Sequence, residues 1–403
     1  MMQIIADLHI HSRFSRATSH ELTVPNLEKW ARIKGLGLLG TGDFTHPSWL
    51  AELKQQLEED ENKILRTASG FPFILQTEIS LMYSQEGKGR RVHLILLAPS
   101  FEVVEQINKF LGERGRLDYD GRPVFGFSCI ELIDAMQSIS KNIEIICAHS
   151  WTPWFGVFGS MSGFDSLSEA FGEKEKHIHA IETGMSSDPE MNSRISFLNN
   201  KSIVSFSDSH SFWPWRLGRE ATIFELEKLT YEGIIKAIRE NTIKATIETD
   251  PAYGKYHYDG HRICGFSCPP KETAKLNGIC PLCKKPLTIG VENRVEQLAD
   301  QDSLARPNRK PFYKILPLHE LIALAKASTI SSKKTWQFYN TLIKKFGNEF
   351  EILLRTEKTE IARIDKKIAD IVIQNRKGNI KIKPGFDGVY GVPLLGEIQK
   401  KLF

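Results

Sequence analysis

Cysteine is scarce in this sequence, and no segment is suited to cross a membrane. The 403 residues contain six cysteines, and four of these lie within positions 264–283. The N-terminus has no basic cap followed by a long apolar run, so we expect no secretory signal peptide. The uncharged stretch 145–164 contains one proline and three glycines, which argues against a lipid-facing helix. We therefore expect a cytoplasmic protein without a membrane partner, whose clustered cysteines bind metal rather than form disulfides.

Charge is distributed unevenly along the chain. Residues 1–250 contain 26 Lys and Arg against 34 Asp and Glu, a net charge of −8, whereas residues 251–403 contain 27 against 15, a net charge of +12. An acidic front half joined to a basic back half indicates a catalytic unit and a unit that binds polyanions. Two ordinary domains with different isoelectric points explain the charges equally well.

Short apolar runs alternate with helical patterns through the first 250 residues. Strands are predicted at 3–9, 37–41, 73–79, 92–97, 143–148, 178–182 and 203–206. One of the helices begins at Thr23, with Pro25 in its first turn, and ends at Gly35. Seven strands alternating with helices predict a parallel sheet, either a barrel or an open doubly wound sheet.

The sequence pattern changes after residue 250 and predicts two further units. We place a metal-dependent catalytic barrel at 1–250, a small zinc-binding module at 251–305, and a basic helical DNA-binding region with its tail at 306–403. Helices are predicted at 318–327, 331–346 and 357–374. Two long connections within the barrel, 111–128 and 150–177, are rich in glycine with arginine or aromatic residues, and we expect them to be functional.

Histidine and acidic residues stand where the predicted strands end. His9 and His11 are two residues apart, so both side chains can face one site, and Asp208 and His210 repeat this spacing. The predicted metal ligands are His9, His11, Asp43, Glu78, His93, His149, Asp208 and His210, with the role of His46 left open. Parallel strands bring their carboxyl ends to one edge of the sheet. This set is too large for one four-coordinate ion, so we expect two or three divalent ions.

The motifs around these residues resemble a known family. Asp7-Leu8-His9-Ile10-His11-Ser12, the Asp43 segment, Glu78, His93, Cys147-Ala148-His149-Ser150 and Ser207-Asp208-Ser209-His210 resemble the ordered motifs of the PHP phosphoesterases. The resemblance implies a distorted seven-stranded β/α barrel, an α/β fold, with a trinuclear site for Zn, Mn or Mg. It also implies catalytic roles for His9, His11, Glu78, His149 and Asp208. Asp43 stands where the family has a histidine, and a histidine expected shortly after His11 is missing, so we expect the third ion to be weakly held.

The four cysteines within positions 264–283 form a second metal-binding pattern. Cys264-x3-Cys268-x11-Cys280-x2-Cys283 contains two close pairs on two turns, which can enclose one structural Zn²⁺. The first pair is spaced slightly wider than the common C-x2-C pattern. The sequence therefore predicts a four-cysteine zinc module directly after the barrel.

A PHP barrel followed by a four-cysteine site and a basic helical segment resembles the endonuclease Q family over essentially the whole chain. The segments Gly40–Pro47, Glu182-Thr183-Gly184 and Ser186-Ser187-Asp188-Pro189 contribute to this resemblance. It implies a metal-dependent DNA repair endonuclease acting on damaged DNA. Such an enzyme hydrolyses the phosphodiester 5′ to deaminated bases (uracil, hypoxanthine, xanthine) and abasic sites, leaving 3′-hydroxyl and 5′-phosphate ends.

Residues near the predicted site are candidates for DNA contacts. Arginines in glycine-rich loops can hold phosphates, and aromatic side chains can stack on an extruded base. The candidates are Arg114, Arg116, Arg122, Trp151, Trp154, Phe155, Arg216 and Arg219. A solvated loop explains the first three equally well, and lid packing is the alternative for the aromatic residues.

Two other functions are compatible with the sequence. A PHP phosphatase acting on a small phosphate monoester explains the barrel, although it leaves the zinc module and the basic back half without a role. A nucleic-acid-binding protein with a vestigial metal site is consistent with the altered second motif. Salt-dependent DNA affinity and metal-dependent nicking separate these functions from an endonuclease.

Overall fold

The computed structural model describes residues 1–394. They form an α/β unit built on one mixed sheet, a small Cys-containing module and a helical region. The predicted region 306–403 extends into residues 395–403, which lie outside the described residues. The strands are β1 Met2–Asp7, β2 Leu38–Gly40, β3 Glu58–Glu59, β4 Leu65–Arg66, β5 Pro72–Gln85, β6 Lys88–Ala98, β7 Val124–Phe125, β8 Glu144–Cys147, β9 Ala180–Glu182, β10 Ser202–Val204, β11 Ala221–Leu226, β12 Ala245–Glu248, β13 Asp259–His261, β14 Phe266–Cys268, β15 Phe312–Lys314, β16 Lys381–Lys383 and β17 Val392–Leu394.

The main sheet curls into a half-barrel. Its strand order is β10-β9-β8-β6-β5-β2-β1-β11-β12-β15. All seven predicted strands are present in it, and the α/β class is confirmed. The sheet is mixed rather than parallel, because β6 is antiparallel to both β5 and β8, and β11 is antiparallel to β1 and β12. The sheet also includes β3, β4 and β7, which pair off this path, and the sequence prediction missed these three strands together with β11, β12 and β15.

A tight hairpin explains why β6 reverses direction. The two residues between β5 and β6, Glu86 and Gly87, have φ values of 52° and 75°. Left-handed conformations at both central positions are typical of the two-residue turn that joins antiparallel strands. Eleven residue pairs follow this turn without interruption, from Gln85–Lys88 to Leu75–Ala98. The connection is therefore too short for the crossover helix that parallel strands require.

The core lies on both faces of the sheet. Alternate residues of β1 point to opposite faces, since Ile4 and Ala6 join one buried cluster and Ile5 joins the other. The larger cluster includes residues of the C-terminal helices as well as of the barrel. The sheet therefore acts as a rigid support whose strand ends carry polar side chains.

The helices are α1 Val24–Lys34, α2 Pro47–Gln56, α3 Phe101–Gly112, α4 Cys129–Ile139, α5 Leu167–Phe171, α6 Pro189–Asn192, α7 Tyr231–Arg239, α8 Pro270–Lys275, α9 Val291–Leu298, α10 Leu318–Lys326, α11 Lys333–Phe346, α12 Glu349–Leu354, α13 Lys358–Ala362 and α14 Lys366–Arg376. As predicted, Thr23 caps α1 and Gly35, at φ 97°, ends it. The helix predicted at 357–374 is two helices, because Asp365 caps a new one. Among residues 1–394, no helix has the length and apolarity needed to cross a bilayer.

A buried ion pair connects the helical region to the barrel. Lys34 Nζ of α1 lies 2.6 Å from Glu349 Oε1 of α12, and it also donates to the carbonyl of Pro214. Tyr339 OH donates to the other carboxylate oxygen of Glu349 at 2.9 Å. Every charge in this network is paired, which is the condition for burying it. The C-terminal helices therefore pack closely on the barrel.

Candidate metal centres

Residues within or directly after the strands bring the predicted ligands into two adjoining groups. The first group contains His9, His11, Glu78 and Asp208, and the second contains Glu78, His93 and His149. Within each group, the possible ligand atoms all lie within 4.8 Å of one another. Glu78 belongs to both groups, so its carboxylate would be shared by ions bound at the two positions.

The first group is arranged around the ends of β1 and β10. His11 Nε2 lies 3.1 Å from Asp208 Oδ1 and 3.3 Å from Glu78 Oε2. His9 Nε2 lies 3.7 Å from both Glu78 Oε1 and Asp208 Oδ1. Two imidazole nitrogens and two carboxylates converge in this way on one small volume.

The second group lies on the other side of Glu78. His93 Nδ1 and His149 Nε2 lie 2.8 Å and 3.0 Å from Glu78 Oε1, and the two nitrogens are 3.2 Å apart. Two imidazole nitrogens and one carboxylate oxygen form the donor set of many catalytic zinc sites. The antiparallel strand β6 still presents His93 to the site, because its side chain points to the same face as that of Glu78.

The geometry of His9 fits metal binding. Its ring is fully buried, and Nδ1 lies 2.9 Å from Glu182 Oε1. Its Nε2 atom is buried and has no hydrogen-bond partner among the described residues. An orphaned imidazole nitrogen directed at two carboxylates is costly by itself, and a divalent cation would satisfy all three groups.

The carboxylates of Glu78 and Asp208 both have lowered pKa values. Burial by itself would raise the pKa of Glu78, but the charges of His93 and Arg122 outweigh burial and hold this pKa well below its usual range. Burial is likewise outweighed at Asp208, where His210 is the main charge that lowers the pKa. Both carboxylates are therefore ionised and suited to bind cations.

Three residues at the strand ends adopt left-handed backbone conformations. Asp43, His149 and Asp208 have φ values of 42°, 28° and 46°. Such conformations are uncommon for residues other than glycine and cluster at functional sites, where the surrounding structure imposes them. Next to His149, Gly184 approaches so closely that a Cβ atom there would lie 2.8 Å from the Cβ of His149.

Glu182 is a functional residue for which the sequence predicted no role in the site. Its carboxylate contacts Nδ1 of His9 and accepts the backbone N–H of His149 at 2.6 Å. One buried side chain thus orients a residue from each group. Its position at the end of β9 is the same signal that identified the predicted ligands at other strand ends.

Asp43 was predicted to be a metal ligand, but it belongs to neither group, and this role stays a prediction. Its Oδ1 atom lies 2.9 Å from His11 Nδ1, and Oδ2 accepts from the backbone and hydroxyl of Ser12 and the hydroxyl of Ser15. Both oxygens are therefore used within the protein, and Asp43 orients His11. Gly121 leaves room for this arrangement, since a Cβ there would overlap Asp43 Oδ2.

His210 and His46 lie near the site without joining either group. The ring of His210 is 4.5 Å from that of His11, and its Nδ1 lies 3.1 Å from the carbonyl oxygen of Asp208. Its role as a ligand stays a prediction. His46 stacks on Phe14 at 4.3 Å, and its Nε2 lies 3.3 Å from the Asp118 carbonyl.

An open pocket of about 600 Å³ adjoins both groups. His93, His149 and Asp208 form part of its wall. The remaining wall includes the aromatic residues Trp154, Phe155, Tyr256 and Tyr390 and the cationic residues Arg122, Arg219 and Lys255. This composition suits a ligand with a planar ring and a phosphate.

The predicted DNA-contact residues divide by position. Arg122, Trp154, Phe155 and Arg219 line the pocket. Three others lie outside its wall: Arg114 packs over Phe110, Arg116 pairs with Asp118, and Arg216 lies 5.8 Å from the ring of Tyr390. Their contacts with DNA stay predictions.

Trp151 was also predicted to contact a base, and the structure contradicts this role. Its side chain is fully buried, its ring packs on Phe158, and Nε1 donates to Asn192 Oδ1 at 2.7 Å. A residue with no exposed surface cannot stack on DNA without unfolding its surroundings. Trp151 therefore packs in the interior and stabilises the connection 150–177.

The cysteine cluster has a different fourth member from the predicted one. His261, Cys264, Cys280 and Cys283 come together, with His261 Nδ1 3.1 Å from Cys264 Sγ and 3.3 Å from Cys283 Sγ. Cys268 Sγ instead lies 3.2 Å from Thr273 Oγ1. The ligand spacing thus becomes His-x2-Cys and Cys-x2-Cys, which removes the wide first pair of the four-cysteine prediction.

The chain is similar in sequence to known proteins. Residues 317–379 match the family described as the MJ0043 C-terminal domain. The chain is 35% identical over 246 residues to the uncharacterized protein MJ0043 of Methanocaldococcus jannaschii. The aligned region covers 60% of this chain and 31% of that protein. The chain thus spans about a third of the length of that relative.

Two solved structures match nearly the whole chain. The first is the lesion-specific endonuclease PfuEndoQ of Pyrococcus furiosus, which is 30% identical with a TM-score of 0.88 and covers 100% of this chain and 98% of its own. The second is endonuclease Q in complex with a 27-mer duplex that has an abasic lesion at the active site, at 31% identity, TM-score 0.89, and 98% and 97% coverage. Metal-binding groups at the strand ends and this likeness define the protein as a metal-dependent hydrolase. The chain belongs to the endonuclease Q family.

Proposed function

We propose that the protein is a DNA repair endonuclease that hydrolyses the phosphodiester on the 5′ side of a damaged nucleotide. Its substrates are duplexes with an abasic site or a deaminated base (uracil, hypoxanthine or xanthine), and its products have 3′-hydroxyl and 5′-phosphate ends. Its relative endonuclease Q was solved with an abasic duplex, which supports damaged DNA as the partner. None of the six cysteines forms a disulfide among the described residues, and a cytoplasmic location is part of the same proposal.

One observation carries this proposal: the pocket joins the two metal-binding groups to an aromatic wall. Trp154 and Tyr256 pack edge to face at 5.7 Å, and Phe155 packs on His93 at 4.4 Å. A nucleotide extruded from a duplex would present its phosphate to the metal side and its sugar or base to the aromatic side. An abasic site would fill only the part of the pocket nearest the phosphate.

Two ions fit the groups, and their number and identity are part of the proposal. His9, His11, Glu78 and Asp208 would hold one ion, and Glu78, His93 and His149 would hold a second. Zn, Mn or Mg at these positions would supply Lewis-acid stabilisation of the charge that develops on the phosphate. His210 is the remaining candidate ligand for a third, weakly held ion.

Arg122 supplies the positive charge of the chain itself beside the reacting phosphate. Its Nη1 atom donates to Glu78 Oε2 at 3.0 Å, and its side chain is 28% exposed and lines the pocket. The other guanidinium donors can bind a non-bridging phosphate oxygen while the ion pair with Glu78 holds the group in place. Arg219 is fixed in a similar way by the carbonyl of Ser207.

The back half supplies attraction for the DNA backbone. Residues 306–403 contain 20 basic against 9 acidic residues, a net charge of +11, whereas residues 251–305 contain 7 against 6. We assign the catalytic role to residues 1–250, the structural zinc site to 251–305 and the main phosphate attraction to 306–403. Binding that rests on phosphate contacts weakens steeply with salt.

The direct test uses duplexes that differ at one nucleotide. Purified protein with Mn²⁺, Mg²⁺ or Zn²⁺ is expected to nick duplexes with uracil, hypoxanthine, xanthine or an abasic site, and not the undamaged duplex. Gel mobility and ligation of the fragments identify the ends. Asp208→Asn is the matched control, which should bind the same duplexes without nicking them.

The result also separates the two alternatives. Hydrolysis of a small phosphate monoester without nicking would indicate a phosphatase. Salt-dependent DNA binding without hydrolysis under any of the three metals would indicate a binding protein. Either result would contradict the proposed endonuclease activity.

A further inference from the structure

The zinc module exposes two large apolar side chains at its turns. Ile263 is 85% exposed and Leu282 is 66% exposed. Each residue directly precedes a cysteine of the same ligand group, Cys264 and Cys283, whose sulfur atoms lie within 4.8 Å of each other. The two side chains are therefore carried on neighbouring turns, and we call them the knuckle pair.

In both turns the residue after the cysteine has a left-handed conformation and closes the turn with a backbone hydrogen bond, over three residues in the first turn and four in the second. In the first, Gly265 follows the cysteine at φ 62° and donates its N–H to the Arg262 carbonyl at 3.0 Å. In the second, Lys284 follows the cysteine at φ 64° and donates to the Cys280 carbonyl at 2.9 Å. A ligand at each end of the turn restricts its movement, so the apolar side chains are presented to solvent on a rigid support.

The segment that carries the knuckle pair is basic. Residues 261–290 contain five basic residues and one acidic residue, the basic ones being Arg262, Lys271, Lys275, Lys284 and Lys285. The following segment, 291–305, has the opposite balance, with four acidic residues and one basic residue. An apolar tip within a basic surface is complementary to a nucleic acid, whose phosphates surround apolar base faces.

The first turn lies beside the active-site pocket. The backbone N–H of Arg262 donates to Asp387 Oδ2 at 2.6 Å. Three residues beyond Asp387, Tyr390 forms part of the pocket wall together with Tyr256. A DNA strand that reaches the pocket would therefore pass close to the knuckle pair.

We propose that Ile263 and Leu282 form an apolar wedge that enters the DNA duplex next to the lesion and keeps the damaged nucleotide out of the base stack. This inference rests on the proposed endonuclease function. Apolar side chains inserted at a base step lower the cost of unstacking, because they cover the faces that the extruded base leaves. The wedge is required for duplex DNA only, since a single strand has no partner strand to separate.

The test compares duplex and single-stranded substrates of the same sequence. The double variant Ile263→Ser with Leu282→Ser is expected to nick uracil in a duplex about tenfold more slowly or worse, and uracil in the single strand at the wild-type rate. Ile263→Met with Leu282→Met should retain duplex activity. Leu304→Ser is the matched control, because Leu304 is 77% exposed but lies outside the two turns. Zinc content and melting temperature of each variant verify its folding.

Base unstacking is measured independently of nicking. With 2-aminopurine opposite the lesion, binding of the wild-type protein without divalent metal should increase fluorescence, and binding of the Ser variant should not. This readout tests the wedge even if the protein proves not to be an endonuclease. Equal duplex rates for the wild type and the Ser variant, or an equal loss on both substrates, would overturn the proposal.

Discussion

The carboxylate of Glu182 lies 2.9 Å from Nδ1 of His9. Because a carboxylate accepts, this contact places a proton on Nδ1 and leaves Nε2, which is directed at Glu78 and Asp208, as the atom that would bind a metal ion. The same carboxylate accepts the backbone N–H of His149. Glu182 thus holds one residue of each metal-binding group in position.

Glu182→Gln should weaken metal binding by about 10- to 100-fold, as is typical when the partner of a ligating histidine is altered. The amide would place a donor against either His9 or the backbone of His149. Metal content after dialysis against a buffered chelator measures the effect. Glu144→Gln is the matched control, because Glu144 holds His179 at the same 2.9 Å distance outside both groups. Equal losses in the two variants would contradict the assigned role.

Glu78→Ala should abolish nicking, because this carboxylate is shared by both groups. DNA binding should remain, since the phosphate contacts assigned to the back half are unchanged. Metal stoichiometry should fall at both positions and not at one only. A variant that keeps wild-type activity would exclude Glu78 as a bridging ligand.

Cys280→Ser and His261→Ala should each lose one equivalent of tightly bound zinc, whereas Cys268→Ser should retain it. The reason is that Cys268 contacts Thr273 and lies outside the ligand group. Zinc content and proteolysis of residues 261–290 measure the outcome, since structural zinc supplies folding free energy to small modules. Zinc loss in Cys268→Ser with retention in His261→Ala would restore the four-cysteine prediction.

Glu220→Gln should change how stability depends on pH. Burial raises the pKa of Glu220 to about 8, and the adjoining Glu248 also has a raised pKa, from burial and from Glu220. Because the folded-state pKa lies above the ordinary value of 4.5, this group contributes stability that is full below pH 4.5 and lost as the pH rises through about 8. The melting temperature of the variant should therefore fall less than that of the wild type between these pH values. Glu227→Gln, at an exposed position, should follow the wild type.

Trp154→Ala should reduce nicking at uracil more than at an abasic site, because its ring lines the pocket and an abasic site has no base to hold. Trp151→Phe provides the comparison. It removes the hydrogen bond to Asn192 and should lower the melting temperature without changing the preference between the two lesions. An equal loss at both lesions in Trp154→Ala would assign this residue to lid packing.

The sequence predicted the seven strands that carry or adjoin the candidate site, but not the antiparallel pairs of the sheet. Apolar runs predicted the seven strands correctly, since burial on a sheet demands such runs. The spacing of His9 and His11 predicted one shared face, and the positions of His149 and Asp208 after their strands predicted one edge. Glu78 was predicted to end its strand, but β5 continues to Gln85. These properties depend on local backbone periodicity, and this periodicity can be predicted from residues that are neighbours in the sequence.

Only the tertiary structure decided which polar residue joins a candidate metal-binding group and which supports its neighbour. Asp43 turns toward Ser12 and Ser15, and Trp151 turns inward to Asn192, because partners distant in sequence compete for the same side chain. In the zinc module, β13 pairs with β14 so that Cys268 lies opposite Asp259, while His261 lies opposite Phe266 at the turn where the other ligands gather. The register of a hairpin sets these positions, and spacing along the chain does not contain it.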